Sequence, residues 1–133
     1  MLTYEARSDA PADAAWRLVA RPERWHEWAP HLRGAWGLGE PEVQAGARGA
    51  ARLLGVVPIP AKVTEKRRGR RWSWRVGPVE IVHRVEPAPV GPGSLVAVDM
   101  IAPAPLERAL AVSYGPLVAL LVRNLARVAA RSG

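Results

Sequence analysis

The chain has no cysteine and no phenylalanine, only two lysines and two tyrosines, and no long apolar run. Without cysteine there is no disulfide, no thiolate nucleophile and no Cys-ligated zinc. A membrane-spanning helix needs about 18–20 consecutive apolar residues. The longest apolar stretch near the end, Gly115 to Val122, is far shorter. Residues 1–20 carry Glu5, Arg7, Asp9, Asp13 and Arg17, which interrupt any signal-peptide core. The expectation is a cytoplasmic protein without a membrane anchor.

What is present is a chain of 133 residues, 49% hydrophobic and 23% charged. That balance suits one globular domain over 1–133. The net charge is +7, almost all of it arginine. A basic balance can signal nucleic acid or an anionic membrane surface. Abundant Arg, Ala, Gly and Pro are also what GC-rich codons give, and we prefer that reading.

Hydrophobic periodicity supplies the element order. Leu2 to Ser8 alternates as a short strand. Pro11 suits the first turn of a helix over 12–20, and Pro22 opens a second short helix that Pro30 closes. From Gly34, glycine and proline punctuate runs rich in Val, Leu, Ile and Trp, which reads as strands near 34–38, 47–54, 59–67, 70–77, 79–87 and 94–101. Gly69 allows a tight reversal in the hairpin Lys66–Arg71; Gly77-Pro78 and Gly91-Pro92-Gly93 mark two more. From about Pro105 to Ala130, Leu106, Leu110, Leu117, Leu121, Leu125 and Val128 trace one apolar helical face. Gly115-Pro116 predicts a kink or a break within it.

Strand, two short helices, six strands and a long helix describe an α+β protein, a curved antiparallel meander whose apolar face is covered by the final helix. Residue patterns carry a resemblance over essentially the whole chain: Ala10-Pro11-Ala12-Asp13-Ala14-Ala15-Trp16; the segment Arg21 to Pro30 with Trp25 and Trp28; Gly46 to Arg48; Arg71-Trp72-Ser73-Trp74; and His83-Arg84-Val85-Glu86. In this order they resemble the START/Bet v 1-like (SRPBCC) helix-grip superfamily, in its polyketide cyclase/dehydrase branch. The resemblance implies a curved sheet of about seven strands around a long C-terminal helix. It also implies binding of lipids, polyketides or other apolar compounds, with cyclisation or dehydration in some members. The glycine-rich loop of the plant allergen branch is absent, which sets the plant-hormone and allergen assignments aside.

The candidate ligand-binding residues are Trp28, Trp72, Trp74, His83, Met100 and Tyr114. Trp72 and Trp74 share one strand face, opposite Arg71, Ser73 and Arg75. Trp16 and Trp25 read as core. Val79, Ile81, His83 and Val85 share an inward face, so His83 is an isolated histidine among apolar groups. It is either a hydrogen-bonded core residue or a ligand contact and the one candidate general acid/base. Val96, Val98 and Met100 take the inward positions of the last strand, which leaves Asp99 facing solvent. His26 and His31 are expected near the cavity mouth. Three scattered histidines make no metal site, and no cofactor motif is present.

Three functions follow: a carrier for a hydrophobic small molecule; a polyketide cyclase or dehydratase using His83, with Tyr114 as a second proton-transfer group; and a basic module contacting nucleic acid or an anionic membrane through residues 66–71. Trp72 and Trp74 point away from Arg71 and Arg75, so base and aromatic do not share the surface a nucleic acid needs. Nucleic acid is therefore not expected, and a peripheral anionic membrane contact stays open.

Overall fold

A computed structural model describes residues 1–29, 32–53 and 57–132. Its elements are β1 (Leu2–Ser8), α1 (Ala12–Ala20), a 3-10 helix (Pro22–Glu27), β2 (Leu32–Trp36), β3 (Arg48–Leu53), β4 (Val57–Arg67), β5 (Arg71–Val76), β6 (Val79–Pro87), β7 (Ser94–Ile101), α2 (Ala104–Ser113) and α3 (Gly115–Ser132). The seven strands form one antiparallel sheet in the order β1-β7-β6-β5-β4-β3-β2. The chain meanders from β2 to β7, and β1 then pairs with β7 from the far side. The two helical segments between β1 and β2 therefore bridge the two edges of the sheet. Expected strand limits hold to within two residues. Pro30 and the end of the expected 47–54 strand lie outside the described residues.

Local chemistry explains the turns. Gly69, Gly77 and Gly91 have φ of +80°, +58° and +87°, the left-handed region where a side chain is strained. Thr64 forms a bulge in β4 against β5, which bends a strand and increases its twist. Its hydroxyl bonds Ser73 Oγ at 2.8 Å and donates to Glu80 Oε1 at 2.6 Å on the outer face.

The C-terminal helix is not one rod. It breaks at Gly115, and α2 and α3 meet at 63°. Tyr114 N–H closes α2 on Leu110 O at 2.8 Å, and Val118 N–H donates to Tyr114 O at 3.0 Å. Proline at the second position of α3 has no helical acceptor to lose. A Cβ at Gly115 would collide with the hydroxyl of Tyr4, so a larger residue there requires that side chain to move. No single helix among the described residues is long and apolar enough to cross a membrane.

The expected buried face of this helix needs correction. The buried side chains of α3 are Val118, Val122, Leu125, Ala126 and Ala129. Leu117 and Leu121 are only half-buried, and α2 has no buried residue. The helix packs on β1, β7 and α1 together, so its seated stripe is turned about one residue from the leucine row. The core continues through Ala15, Leu18 and Val19 of α1, Val63 of β4, Val85 of β6 and Val96 of β7. Ser8 Oγ donates to Ala126 O at 2.7 Å and ties the end of β1 to α3.

Candidate functional site

The last four carbonyls of a helix have no partner within it. In α1 two of them are met by indoles. Trp28 Nε1–H donates to Leu18 O at 2.9 Å. Trp25 and Trp72 both donate to Val19 O, at 2.9 and 3.0 Å. Backbone N–H of Val43 serves Ala20 O at 2.9 Å. Two tryptophans from the segment just after α1 and one from β5, 53 residues beyond Val19, thus converge on one helix end.

Around that anchor the aromatic rings form a stack. Trp25 lies parallel to Trp72, with centroids 5.6 Å apart and an interplanar angle of 5°. His83 lies on Trp72 at 4.0 Å and 13°. Trp74 meets Trp25 and Trp72 edge-on, at 5.3 and 5.4 Å. Strand register makes this possible, because Trp72 pairs directly with His83 and Trp74 with Ile81 across β5 and β6.

Between the inner face of the sheet and the helices is a cavity of about 340 Å³. Its wall comes from Ile59 of β4, Trp74 and Val76 of β5, Val79, Ile81 and His83 of β6, Val98 and Met100 of β7, and Val118, Leu121, Val122 and Leu125 of α3, with Trp28 and Ala51 completing it. Leu110 and Tyr114, from α2 and the break, stand at its end. Among the described residues no charged side chain lines it, although the chain has 19 basic and 12 acidic residues.

Five of the six candidate ligand contacts, Trp28, Trp74, His83, Met100 and Tyr114, are in this wall. Trp72 is not. It is 1% exposed and sits behind the wall, between Trp25 and His83. Capping α1 and supporting His83 are what its position allows. Sequence reasoning did not pick out Ala51, Ile59, Val76 or Leu110, since small and aliphatic residues carry no chemical signature. Val79 and Ile81 were visible only as the face-mates of His83.

His83 is 7% exposed. Burial among apolar groups lowers its pKa to about 4, against a smaller opposing effect of its bond to the Trp72 backbone. The imidazole is therefore neutral at ordinary pH. Its Nδ1 lies 3.3 Å from Trp72 O. A carbonyl only accepts, so Nδ1 carries the proton and Nε2 is left as an acceptor. Trp74 Nε1 is buried with no hydrogen-bond partner. Burial also raises the pKa of Tyr114, which is 37% exposed at the rim.

The remaining candidates fall elsewhere. His26 is exposed and lines a separate cleft with Pro22, Trp36 and Pro41, so its expected place at the cavity mouth is not where the chain puts it. His31 lies outside the described residues. Asp99 points outward, as the alternation requires, but it does not face open solvent: it is 7% exposed. Arg84 covers it with bonds of 2.7 and 3.1 Å, and Thr3 Oγ1 donates to it at 2.8 Å. Burial pushes the Asp99 pKa up, but the Arg84 and Thr3 bonds outweigh it and leave the carboxyl below its usual range. Among the described residues no group of three His, Asp or Glu side chains could hold a metal ion.

The basic hairpin divides in two. Lys66 is 3.1 Å from Glu42 and Arg71 is 2.8 Å from Glu65. Glu42 also accepts from Trp16 Nε1 at 3.1 Å. Arg67, Arg68 and Arg70 are exposed. A shallow polar depression lined by Arg67, Arg70, Arg71 and Arg84 lies on the outer side of the sheet.

A family profile described as "Polyketide cyclase / dehydrase and lipid transport" matches residues 2–133. Among solved structures, a START superfamily protein from Mycobacterium smegmatis is 18% identical and superposes with a TM-score of 0.69, covering 98% of this chain and 97% of that one. The protein XoxI from Bacillus cereus is 15% identical with a TM-score of 0.72, over 96% and 93% of the two chains. CalU16 from Micromonospora echinospora is 18% identical with a TM-score of 0.64, over 98% and 81%. At these identities the likeness is one of fold. A comparison with curated proteins finds no match.

Proposed function

Starting from the fact that the chain belongs to the polyketide cyclase/dehydrase and lipid transport family, we propose that it binds a hydrophobic small molecule in the cavity between the sheet and α3. One observation carries this reading: among the described residues an uncharged, largely aliphatic and aromatic wall borders a half-open cavity of about 340 Å³ in a protein of net charge +7. A cavity of that size forfeits packing energy when empty, and binding sites for small molecules have this character. Titration with a neutral fluorescent naphthylamine, read through tryptophan emission, tests it. The expected result is saturable binding at one site, lost when Leu121→Trp fills the space. Absence of binding, or binding indifferent to that substitution, overturns the reading.

The cyclase or dehydratase reading has less support. Proton-transfer chemistry needs several convergent polar groups. Here His83 shares the cavity with only the Tyr114 hydroxyl and the Trp74 N–H, and Asp99 is engaged on the opposite face. The basic-module reading also has less support, since two of the hairpin's five cations are held in ion pairs and its aromatic neighbours face inward, which leaves Arg67, Arg68 and Arg70 exposed.

A further inference from the structure

We propose that the occupant of this cavity is a compact, uncharged ring compound bearing a hydroxyl, an alcohol or a phenol, whose O–H donates to Nε2 of His83. The inference rests on the container reading and narrows it to a ligand class.

Charge is the first constraint. Among the described residues the wall holds neither a cation nor a carboxylate. A carboxylate or phosphate brought inside is left without a counter-charge, and an unpaired buried ion is strongly disfavoured. Arg67, Arg70, Arg71 and Arg84 line a separate depression and do not reach this wall.

Hydrogen-bonding direction is the second. The Trp28 N–H is already spent on Leu18 O, while the buried Trp74 N–H has no partner and is a donor that a hydroxyl oxygen can also accept from. The Nδ1–H of His83 is spent on Trp72 O. His83 lines the cavity and its Nδ1 is turned back to the Trp72 carbonyl, which leaves Nε2 as the ring nitrogen available to an occupant. That nitrogen has no hydrogen-bond partner among the described residues. A neutral imidazole nitrogen can only accept there, so the complementary ligand group is a donor. Stacking on Trp72 at 4.0 Å fixes the plane of the ring and with it the direction of the lone pair. A ketone, ether or ester has nothing to offer this atom, whereas a hydroxyl does.

Size is the third. About 340 Å³ is near the small end of the range for ligand pockets. It suits a compact ring system rather than a lipid with two acyl chains.

The test uses four probes on the full-length protein: naphthalene, 2-naphthol, 2-methoxynaphthalene and 2-naphthoate, with binding followed by tryptophan quenching or calorimetry. Naphthalene is expected to bind, as the container reading requires. The affinity ratio of 2-naphthol to 2-methoxynaphthalene is expected to favour the naphthol about three- to tenfold, the range one hydrogen bond supplies. That preference should vanish in His83→Phe, which keeps the stack on Trp72 and removes the acceptor. The naphthoate should bind weakest. If His83→Phe does not fold, the naphthol-to-methoxy ratio on the wild-type protein decides alone. Equal binding of naphthol and methoxynaphthalene, or tightest binding of the naphthoate, overturns the hydroxyl inference while leaving the container intact. Failure of all four, naphthalene included, overturns the container itself.

Discussion

The imidazole of His83 lies flat on the indole of Trp72, with ring centroids 4.0 Å apart and planes 13° from parallel. The contact joins the two parts of the inner face: Trp72 belongs to the aromatic cap on α1, and His83 belongs to the cavity wall. The end of α1 is thereby in direct ring contact with a residue of the cavity wall. Four predictions follow from this arrangement and from the packing around it.

Stability should fall in mild acid because of His83. Its pKa is about 4 in the folded protein against 6.5 as an ordinary value, owing first to burial. Between those values the unfolded chain binds the proton and the folded chain does not, so stability rises with pH through this window. It is complete above pH 6.5 and lost progressively down to about pH 4. The full effect is on the order of 3 kcal/mol. Denaturant midpoints at pH 4.5 and 7.5 should differ much less in His83→Phe than in the wild type. An unchanged pH dependence in that variant contradicts a neutral buried His83.

The indole caps should differ in importance. Trp28→Phe leaves Leu18 O buried without the indole donor, which costs about 1–3 kcal/mol for the lost hydrogen bond. Trp72→Phe removes only one of two donors to Val19 O, so its hydrogen-bond loss should be the smaller, at similar ring volume. Chemical denaturation of both variants measures the order. A larger loss for Trp72→Phe shows that its stacking, and not the cap, dominates.

Charge placed on the seated face of α3 should not be tolerated. Val122 is 2% exposed, and Val122→Asp buries an unpaired carboxylate at a cost of several kcal/mol. The expected outcome is loss of the cooperative thermal transition. Leu121, half-buried at the cavity wall, should accept Leu121→Trp with the fold retained and ligand binding lost. Both residues border the cavity, but only Val122 is also fully buried in the core, so the pair separates loss of the fold from loss of the binding space.

The exposed arginines of the hairpin should be dispensable for folding and for the cavity. Replacing Arg67, Arg68 and Arg70 with serine should change stability by no more than about 0.5 kcal/mol and leave ligand affinity unchanged. Salt-sensitive binding of nucleic acid or of anionic vesicles, lost in this variant, identifies a second role for the hairpin.

Local signals made the element order legible. Gly69, Gly77 and Gly91 mark turns because their backbone conformations exclude side chains. Alternation assigned His83, Val79 and Ile81 to one face, since neighbouring residues of a strand must point to opposite sides. Gly115-Pro116 marked the helix break because proline has no N–H to donate and crowds the preceding turn, and glycine is a weak helix former. These constraints act within a few residues, so they can be read along the chain.

Which apolar residues form a wall, a core or a cap was decided only by tertiary packing. Trp72 and Trp74 are equivalent by alternation, yet Trp72 supports the helix end and Trp74 faces the cavity, because Val19 lies within reach of the first. Leu117, Val118, Leu121 and Val122 are all apolar, so periodicity could not choose the seated stripe; simultaneous contact of α3 with β1, β7 and α1 chose it. Asp99 was assigned to the outer face by its strand, but its shielding came from Arg84 on the next one. The sequence by itself determined the elements and the sidedness of each strand, which depend on backbone geometry. The cavity, the neutral state of His83 and the direction of its free nitrogen depend on contacts between residues far apart in the chain, and those exist only once the sheet has closed against the helix.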